Sequence, residues 1–308
     1  MGIPHLNKLL VDKCKKDSIH KMYLRDIENK TIVIDTSIYL YKFLGQDKLI
    51  EHFYLLISLL LYYKITPIFV FDGKPPSEKM DTLRQRKQNK KDAEHKFYEL
   101  QESISDETTE EEKKSIMNKM ESLKKDFIRI RDCHIQCVKR LMELHGVSYI
   151  HAPEEADVVC CEMVINGTAW ACLSDDMDMF LYGCTRVLRF ISLLNHSVVM
   201  YDTVSILRDL DMNLTEFRYF TVPCGTDYNV NKKLTLQQMF KNFANYKNQT
   251  EICSFDDYLI KKSIVEDVLY DTCELFCISK NNQYDIIQFD KQTSDLRTFL
   301  QSYGFIFV

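Results

Sequence analysis

Thr31-Ile32-Val33-Ile34-Asp35-Thr36-Ser37 decides the fold. Thr31 to Ile34 is an apolar, β-branched run of strand length, the kind that sits inside a parallel sheet with both faces covered. Asp35 stops it, and Thr36 or Ser37 can open a helix carrying Tyr39, Tyr41 and Phe43. The pattern recurs along the chain. Pro67 to Phe71 is a second buried strand, stopped by Asp72-Gly73-Lys74-Pro75-Pro76. Val147 to Ile150 is a third, followed by Pro153 at a helix start with Glu154, Glu155 and Asp157 in the first turn. Ala169 to Leu173 is a fourth, ending in Ser174-Asp175-Asp176. Val187 to Leu193 and Ser197 to Tyr201 read as a β-hairpin around Asn195, and beyond Asp202 the chain is mostly helical.

Working outward, Leu6 to Lys16 is a short amphipathic helix, and 48–63 is a long apolar one. Strands alternating with helices predict an α/β fold with a mainly parallel central sheet flanked by helices. From Ser77 to Leu144 no strand signal occurs. That segment is charged and helical, interrupted near Ser103 to Thr109, and reads as an insertion that projects from the sheet. The expected division is 1–76 and 136–227 as two halves of one α/β unit, 77–135 as the insertion, and 228–308 as a C-terminal helical region.

A chain of 308 residues, 45% hydrophobic and 28% charged, accommodates one large α/β domain, or a domain plus a small helical appendage. Its longest apolar run, Phe53 to Tyr63, falls well short of the roughly 20 residues that a membrane span needs. The N-terminus lacks a signal-peptide pattern, and Gly2 does not complete a myristoylation motif because position 6 is Leu. Eleven cysteines without a secretory signal read as reduced thiols of an intracellular protein. The four-residue spacings Cys133/Cys137 and Cys273/Cys277 read as helical packing, since no zinc-binding set is completed. A formal charge of −5 excludes a uniformly basic coat but leaves room for a local basic patch.

Asp35, Asp72 and Asp176 each lie at or just past the carboxyl end of a predicted buried strand. In an open parallel sheet ligands bind outside those ends, so three carboxylates gather at one edge. Glu155 and Asp157 begin a helix at the same edge, Asp178 lies two residues past Asp176, and Asp227 stands in the turn Cys224-Gly225-Thr226-Asp227-Tyr228. Any one of these alone is ordinary cap or turn chemistry. Their shared edge is not. Residues two apart on a helix do not share a face, so only one of Glu155 and Asp157 points straight at the others unless the helix begins there. Clustered carboxylates repel one another unless a cation intervenes, and oxygen donors without His or Cys favour magnesium, with manganese able to substitute. Two such ions about 4 Å apart support hydrolysis of a phosphodiester.

At this point the motifs resemble a known family. Met1-Gly2-Ile3-Pro4 with Leu6 and Lys8-Leu9-Leu10, Asp35-Thr36-Ser37 with Tyr41 and Phe43-Leu44, Phe71-Asp72-Gly73-Lys74-Pro75-Pro76, Ala152-Pro153 with Glu155-Ala156-Asp157, Asp176-Met177-Asp178 and Gly225-Thr226-Asp227-Tyr228 occur in the order and spacing of the flap endonuclease branch of the XPG nuclease superfamily. The resemblance covers nearly the whole chain. It implies that Asp35, Asp72, Glu155, Asp157, Asp176, Asp178 and Asp227 hold two divalent metals, and that Lys79 and Arg86 reach the scissile phosphate. Asp178 is expected to be catalytically essential. Gly2 and Tyr41 are expected at the DNA, Tyr41 beneath the terminal base. The insertion looks like an arch threaded by a single-stranded 5′ end, with Lys79, Arg84, Arg86, Lys87 and Lys90 on its first arm, Arg129 and Arg131 on the return helix, and acidic Asp106 to Glu112 at its tip.

Two departures stand out. Asp157 occupies a position where the family usually has Glu. Asp227-Tyr228 runs into Asn229-Val230-Asn231-Lys232-Lys233 rather than a Gly-rich hairpin, which leaves Lys232 and Lys233 as the expected phosphate contacts. The chain also lacks a long basic tail and a clear sliding-clamp box. The resemblance thus implies a monomeric 5′ flap endonuclease with 5′→3′ exonuclease activity in DNA replication, repair or recombination. Its partner is DNA with 5′ flaps or ends and no membrane is involved. Its setting is a nucleus, or a cytoplasmic replication site for a viral member. The competing expectations are a 5′→3′ exonuclease acting on duplex ends or RNA, and a DNA-binding scaffold with an inactive site.

Overall fold

The computed structural model describes residues 2–104, 109–229, 234–249, 253–265, 268–278, 282 and 284–307. In chain order its elements are α1 (Leu6–Lys13), β1 (Ile19–Tyr23), β2 (Thr31–Asp35), α2 (Thr36–Leu44), α3 (Leu49–Tyr62), β3 (Thr66–Phe71), α4 (Met80–Glu102), α5 (Glu110–Asp126), α6 (Asp132–His145), β4 (Ser148–His151), α7 (Ala156–Ile165), β5 (Ala171–Leu173), β6 (Arg186–Ser192), β7 (Ser197–Asp202), α8 (Thr203–Asp209), α9 (Leu214–Thr221), α10 (Leu236–Lys247), α11 (Phe255–Lys261), α12 (Val268–Glu274) and α13 (Thr293–Ser302). The strands form one sheet in the order β1-β7-β6-β5-β2-β3-β4. Pairing is parallel from β6 to β4, while β7 runs antiparallel to both β6 and β1. The four strands β2, β3, β4 and β5 and the β6–β7 hairpin stand where the sequence predicts them.

Side-chain alternation along the buried strands divides the core between the two faces of the sheet. Val33, Ile68 and Val70 pack on one side with Leu6 and Leu10 of α1, Val159 of α7 and Phe217 of α9. Ile32, Ile34, Phe69 and Phe71 pack on the other with Phe53 and Leu60 of α3, Leu141 of α6 and Leu296 of α13. Full burial of a side chain such as Leu6, Leu10 or Phe53 contributes about 1.5–3 kcal/mol each. The apolar α3 is thus a core helix, and among the described residues no helix is long and apolar enough to cross a membrane. The cysteines are free thiols; Cys160, Cys161, Cys172, Cys184, Cys224 and Cys273 are buried.

From β2 the chain moves outward through β3 to β4, then returns to lay β5 on the opposite flank of β2. The order therefore reverses between β2 and β5, and the crevice beyond their carboxyl ends is where an open α/β sheet receives a ligand. Between β3 and β4 the first two helices, α4 and α5, leave the sheet, while α6 returns to pack on it. Only Ala93 of α4, and no residue of α5, is buried. Edge-on contact of Phe97 with Phe127, 5.4 Å between ring centres, and the ion pair of Glu94 with Arg129 show that the two arms run antiparallel.

Three local expectations change. The return from α5 is not helical at Arg129 and Arg131, which lie in the linker before α6, with Arg131 at its N-cap. The helix after β4 opens at Ala156 rather than at Pro153, so Glu155 is its N-cap. The edge strand β1, Ile19-His20-Lys21-Met22-Tyr23, was not expected: its exposed positions carry no clean alternation, and pairing with β7 defines it.

His145 at the end of α6 is buried beside Tyr54, 5.5 Å between ring centres, and neither ring nitrogen has a partner among the described residues. Burial, aided by Lys291, lowers its pKa to about 4. The unfolded chain therefore binds a proton that the native state refuses as pH falls below the ordinary histidine value of about 6.5. This stability contribution is complete above that pH and is lost toward pH 4, by up to about 3 kcal/mol. Urea unfolding of wild type and His145→Leu at pH 7 and pH 4.5 should show a steeper loss in wild type; parallel losses would contradict the assignment.

Candidate active site

Asp35 ends β2 and caps α2, its Oδ1 accepting the Ser37 N–H at 3.1 Å. Its Oδ2 accepts the Ser174 hydroxyl at 3.3 Å, which ties β2 to the end of β5 across the crevice. Asp72, just past β3, accepts the Ala156 N–H at the start of α7 at 2.8 Å and the Ser37 hydroxyl. A helix N-terminus welcomes a carboxylate because its first N–H groups lack internal partners. Gly73 lets this loop close on the next one: its N–H donates to the Glu154 carbonyl at 2.6 Å, and a Cβ there would lie 2.2 Å from the Ala152 carbonyl oxygen.

The late start of α7 resolves the Glu155/Asp157 problem. Glu155 is extended (φ −95°, ψ 140°) and Asp157 sits inside the first turn, so the two need not share a helical face. Beyond β5, Ser174 Oγ accepts the Asp176 N–H and Asp176 Oδ1 accepts the Asp178 N–H, each at 3.1 Å. Gly2 lies against this loop with φ +75°; a Cβ at that position would stand 2.5 Å from Asp176 Oδ1 and 2.7 Å from Asp178 Oδ1.

Basic groups close the other side. Lys79 lies in a 3₁₀ turn (Ser77–Lys79) that leads into α4, rather than in the helix proper. It is buried, with its Nζ 2.7 Å from Glu155 Oε1 and 3.8 Å from Asp227 Oδ2. Arg86, two turns along α4, donates to Asp227 Oδ1 at 2.5 Å, and the Thr82 hydroxyl donates to the Asp227 carbonyl. The base of α4 is thus fastened to the carboxylates.

A cavity of about 280 Å³ joins these groups. Asp35, Asp72, Glu155, Asp157, Asp176 and Asp227 line it together with Lys79, Arg86 and Tyr41. Asp178 does not line the cavity; it is buried, bonded through its N–H to Asp176, with Oδ1 unpartnered among the described residues. Burial first, then Asp72 and Asp176, raises the pKa of Asp35 to about 8. Burial and neighbouring carboxylates also raise Asp157 and Asp178 well above the usual carboxylate range. Burial opposes the charge on Lys79, but Glu155, Tyr228 and Asp157 outweigh it and hold the ammonium above its usual range. Among the described residues no three His, Cys, Asp or Glu side chains are grouped so as to hold a metal ion as they stand. Asp72, Glu155 and Asp227 instead have oxygens committed to hydrogen bonds and ion pairs.

Not every expected DNA contact lies at the cavity. Tyr41 is at its mouth, with Lys90 Nζ 4.7 Å from its ring centre, and Lys90 also donates to the Ile128 carbonyl at 3.1 Å. Arg84 and Lys87 are exposed on α4, Arg84 paired with Asp81 at 2.9 Å. Arg129 is paired with Glu94, and Lys232 and Lys233 lie outside the described residues. Sequence reasoning missed Ser37, Ser174 and Tyr228 as site residues. All three stand next to, or two residues from, an acid already singled out, and adjacency was the available signal.

Comparison with known proteins meets this geometry at both ends. Residues 1–93 match the XPG N-terminal domain and residues 146–227 the XPG I-region. Together these regions contain every carboxylate of the cavity. Flap endonuclease 1 of Methanococcus aeolicus is 32% identical over 70% of this chain and 68% of its own length. Flap endonuclease 1 of Leishmania braziliensis is 30% identical over 74% of this chain, which spans 60% of that relative. The catalytic core of Rad2 in complex with a DNA substrate shares the fold at a TM-score of 0.70 and 22% identity, over 99% of this chain and 96% of that one. Flap endonuclease-1 from Methanococcus jannaschii shares it at 0.62 and 23%, over 93% and 91%. With a 32% identical relative matched over 68% of its own length, and family regions matched at residues 1–93 and 146–227, this chain belongs to the flap endonuclease/XPG nuclease superfamily.

Proposed function

We propose that this protein hydrolyses DNA phosphodiesters at or near a 5′ end or 5′ flap junction, with two divalent cations, magnesium or in its place manganese. The observation that carries this reading is the cavity itself. Carboxylates from the ends of β2, β3 and β5 and from the start of α7 face Lys79 and Arg86, at the root of a projecting helical pair.

The donors fit hard cations: the acids are all carboxylates, without His or Cys, and Asp178 Oδ1 is buried without a partner. Asp35, Asp72, Glu155, Asp157, Asp176, Asp178 and Asp227 would hold the ions, which when bound would activate a water and stabilise the leaving oxygen of an in-line displacement. Lys79 and Arg86 would donate to the oxygens of the scissile phosphate, where charge grows toward the transition state. Tyr41 offers a partly exposed ring at the mouth for a terminal base. Arg84, Lys87 and Lys90 on α4 supply positive charge to a single strand passing between the arms. Lys79 and Arg86 share their carboxylate partners with the proposed ions.

Cleavage of a 5′-labelled double-flap DNA, a blunt duplex and single-stranded RNA, with and without magnesium, tests the reading. Flap DNA should be cut at the junction, and degradation of RNA alone would refute it. Asp178→Ala should lower turnover by at least about 10³-fold while leaving flap affinity nearly unchanged; retained turnover would remove Asp178 from the site. Lys79→Ala and Arg86→Ala should each cost about 10²–10³-fold in single-turnover rate with little change in Kd, whereas a loss confined to affinity would contradict their roles. Magnesium at 100 times its Kd should stabilise the folded protein by about 2.7 kcal/mol. Asp35→Asn combined with Asp176→Asn should abolish that gain, and an undiminished gain would place the ions elsewhere.

A further inference from the structure

Tyr228 follows Asp227 in the loop between α9 and α10, and it touches both members of the Lys79–Glu155 pair. Its hydroxyl donates to Glu155 Oε2 at 2.7 Å, leaving Oε1 to Lys79 at 2.7 Å. Its ring lies under the ammonium, with Lys79 Nζ 4.7 Å from the ring centre. One side chain thus fixes the carboxylate through a hydrogen bond and the cation through its aromatic face.

Tyr228 is itself held from behind. The Tyr182 hydroxyl lies 3.0 Å from that of Tyr228. The single Tyr228 proton is committed to Glu155, so Tyr182 must be the donor, and the bonds run in one direction from Tyr182 through Tyr228 to Glu155. Tyr182 is buried a few residues past Asp178 and thereby links the Asp176–Asp178 loop to the Asp227 loop. Phe276 packs against both tyrosine rings, 5.3 Å from Tyr228 and 5.1 Å from Tyr182. Arg218 locks that segment by donating to the carbonyls of Leu181 at 2.8 Å and Phe276 at 2.9 Å.

We infer that Tyr228, backed by Tyr182 and Phe276, is a positioning residue for phosphodiester cleavage that sets Glu155 and Lys79 in their working orientations. The inference rests on the nuclease reading above. Tyr228 does not touch the scissile bond; it acts through the two groups it holds. Outer partners of this kind typically govern about 10–100-fold in activity.

The test is single-turnover cleavage of a 5′ flap DNA in magnesium by the full chain, alongside Kd for the same DNA in calcium and Tm. Tyr228→Phe keeps the ring beneath Lys79 and loses only the bond to Glu155, so its rate should fall by about 10-fold. Tyr228→Leu loses both supports and should fall by about 100-fold. Tyr182→Phe, which leaves the bond to Glu155 in place, should fall by only about 3-fold. In all three, Kd should stay within about 2-fold of wild type, because the effect falls on the chemical step. The graded recovery from Leu to Phe at constant Kd separates positioning from bulk stability. Wild-type rates in Tyr228→Leu would overturn the inference alone, as would a rate loss that follows Tm without distinguishing Phe from Leu. An inactive wild-type protein would remove the nuclease reading and this inference with it.

Discussion

Mutual repulsion among carboxylates at the open edge of a parallel sheet is the constraint around which this molecule is organised. Burial raises the proton affinity of Asp35, Asp157 and Asp178, and neighbouring carboxylates, Asp176 among them in each case, raise it further. Such a cluster costs folding free energy unless its charge is answered. Here the answer comes from several directions: hydroxyls of Ser37 and Ser174, the N-terminal amides of α2 and α7, and the cations Lys79 and Arg86.

The same charges explain how a weakly buried pair of helices acquires a fixed root. Neither α4 nor α5 contributes much to the core, so burial does little to orient them. What orients α4 is its root, where Lys79 of the preceding 3₁₀ turn and Thr82 and Arg86 of its first two turns each reach the Asp227 loop or Glu155. The linker beyond α5 is gathered in by Lys90 and Glu94. Electrostatics that would be of little value on an exposed surface become orienting here, because Lys79, Glu155 and Asp227 are largely shielded from water.

This division explains which features could be read from the sequence. Strands β2, β3 and β5 announce themselves because burial on both faces demands uninterrupted apolar residues, whereas the edge strand β4 shows only its buried Tyr149-Ile150. The acids that follow inherit their place from the sheet topology alone. Strand β1 does not announce itself, since an edge strand with exposed His20 and Lys21 owes its conformation to pairing with β7. Arg129 and Arg131, expected on the return helix, lie beyond its end at Asp126. Helix periodicity carries no information about where Phe127 breaks the pattern. The start of α7 was legible to within three residues. That small difference matters, because it decides whether Glu155 and Asp157 can serve one cavity. Tyr228 stayed hidden for another reason: its partners Glu155, Lys79, Tyr182 and Phe276 are remote in sequence, and only the fold brings them to one ring.

The departures from the family pattern can be weighed on the same physical terms. Asp in place of Glu at position 157 shortens the reach of one carboxylate. Asp157 nevertheless lines the cavity, because the N-terminal turn of α7 brings its backbone close to Asp72. Helix placement therefore compensates for side-chain length. The exchange also removes a flexible torsion from a group held among like charges, so fewer rotamers need be restrained as the acids converge. In a site assembled from strand ends and helix starts, precision resides in the backbone, and the first turn of α7 carries even a shorter side chain to the cavity.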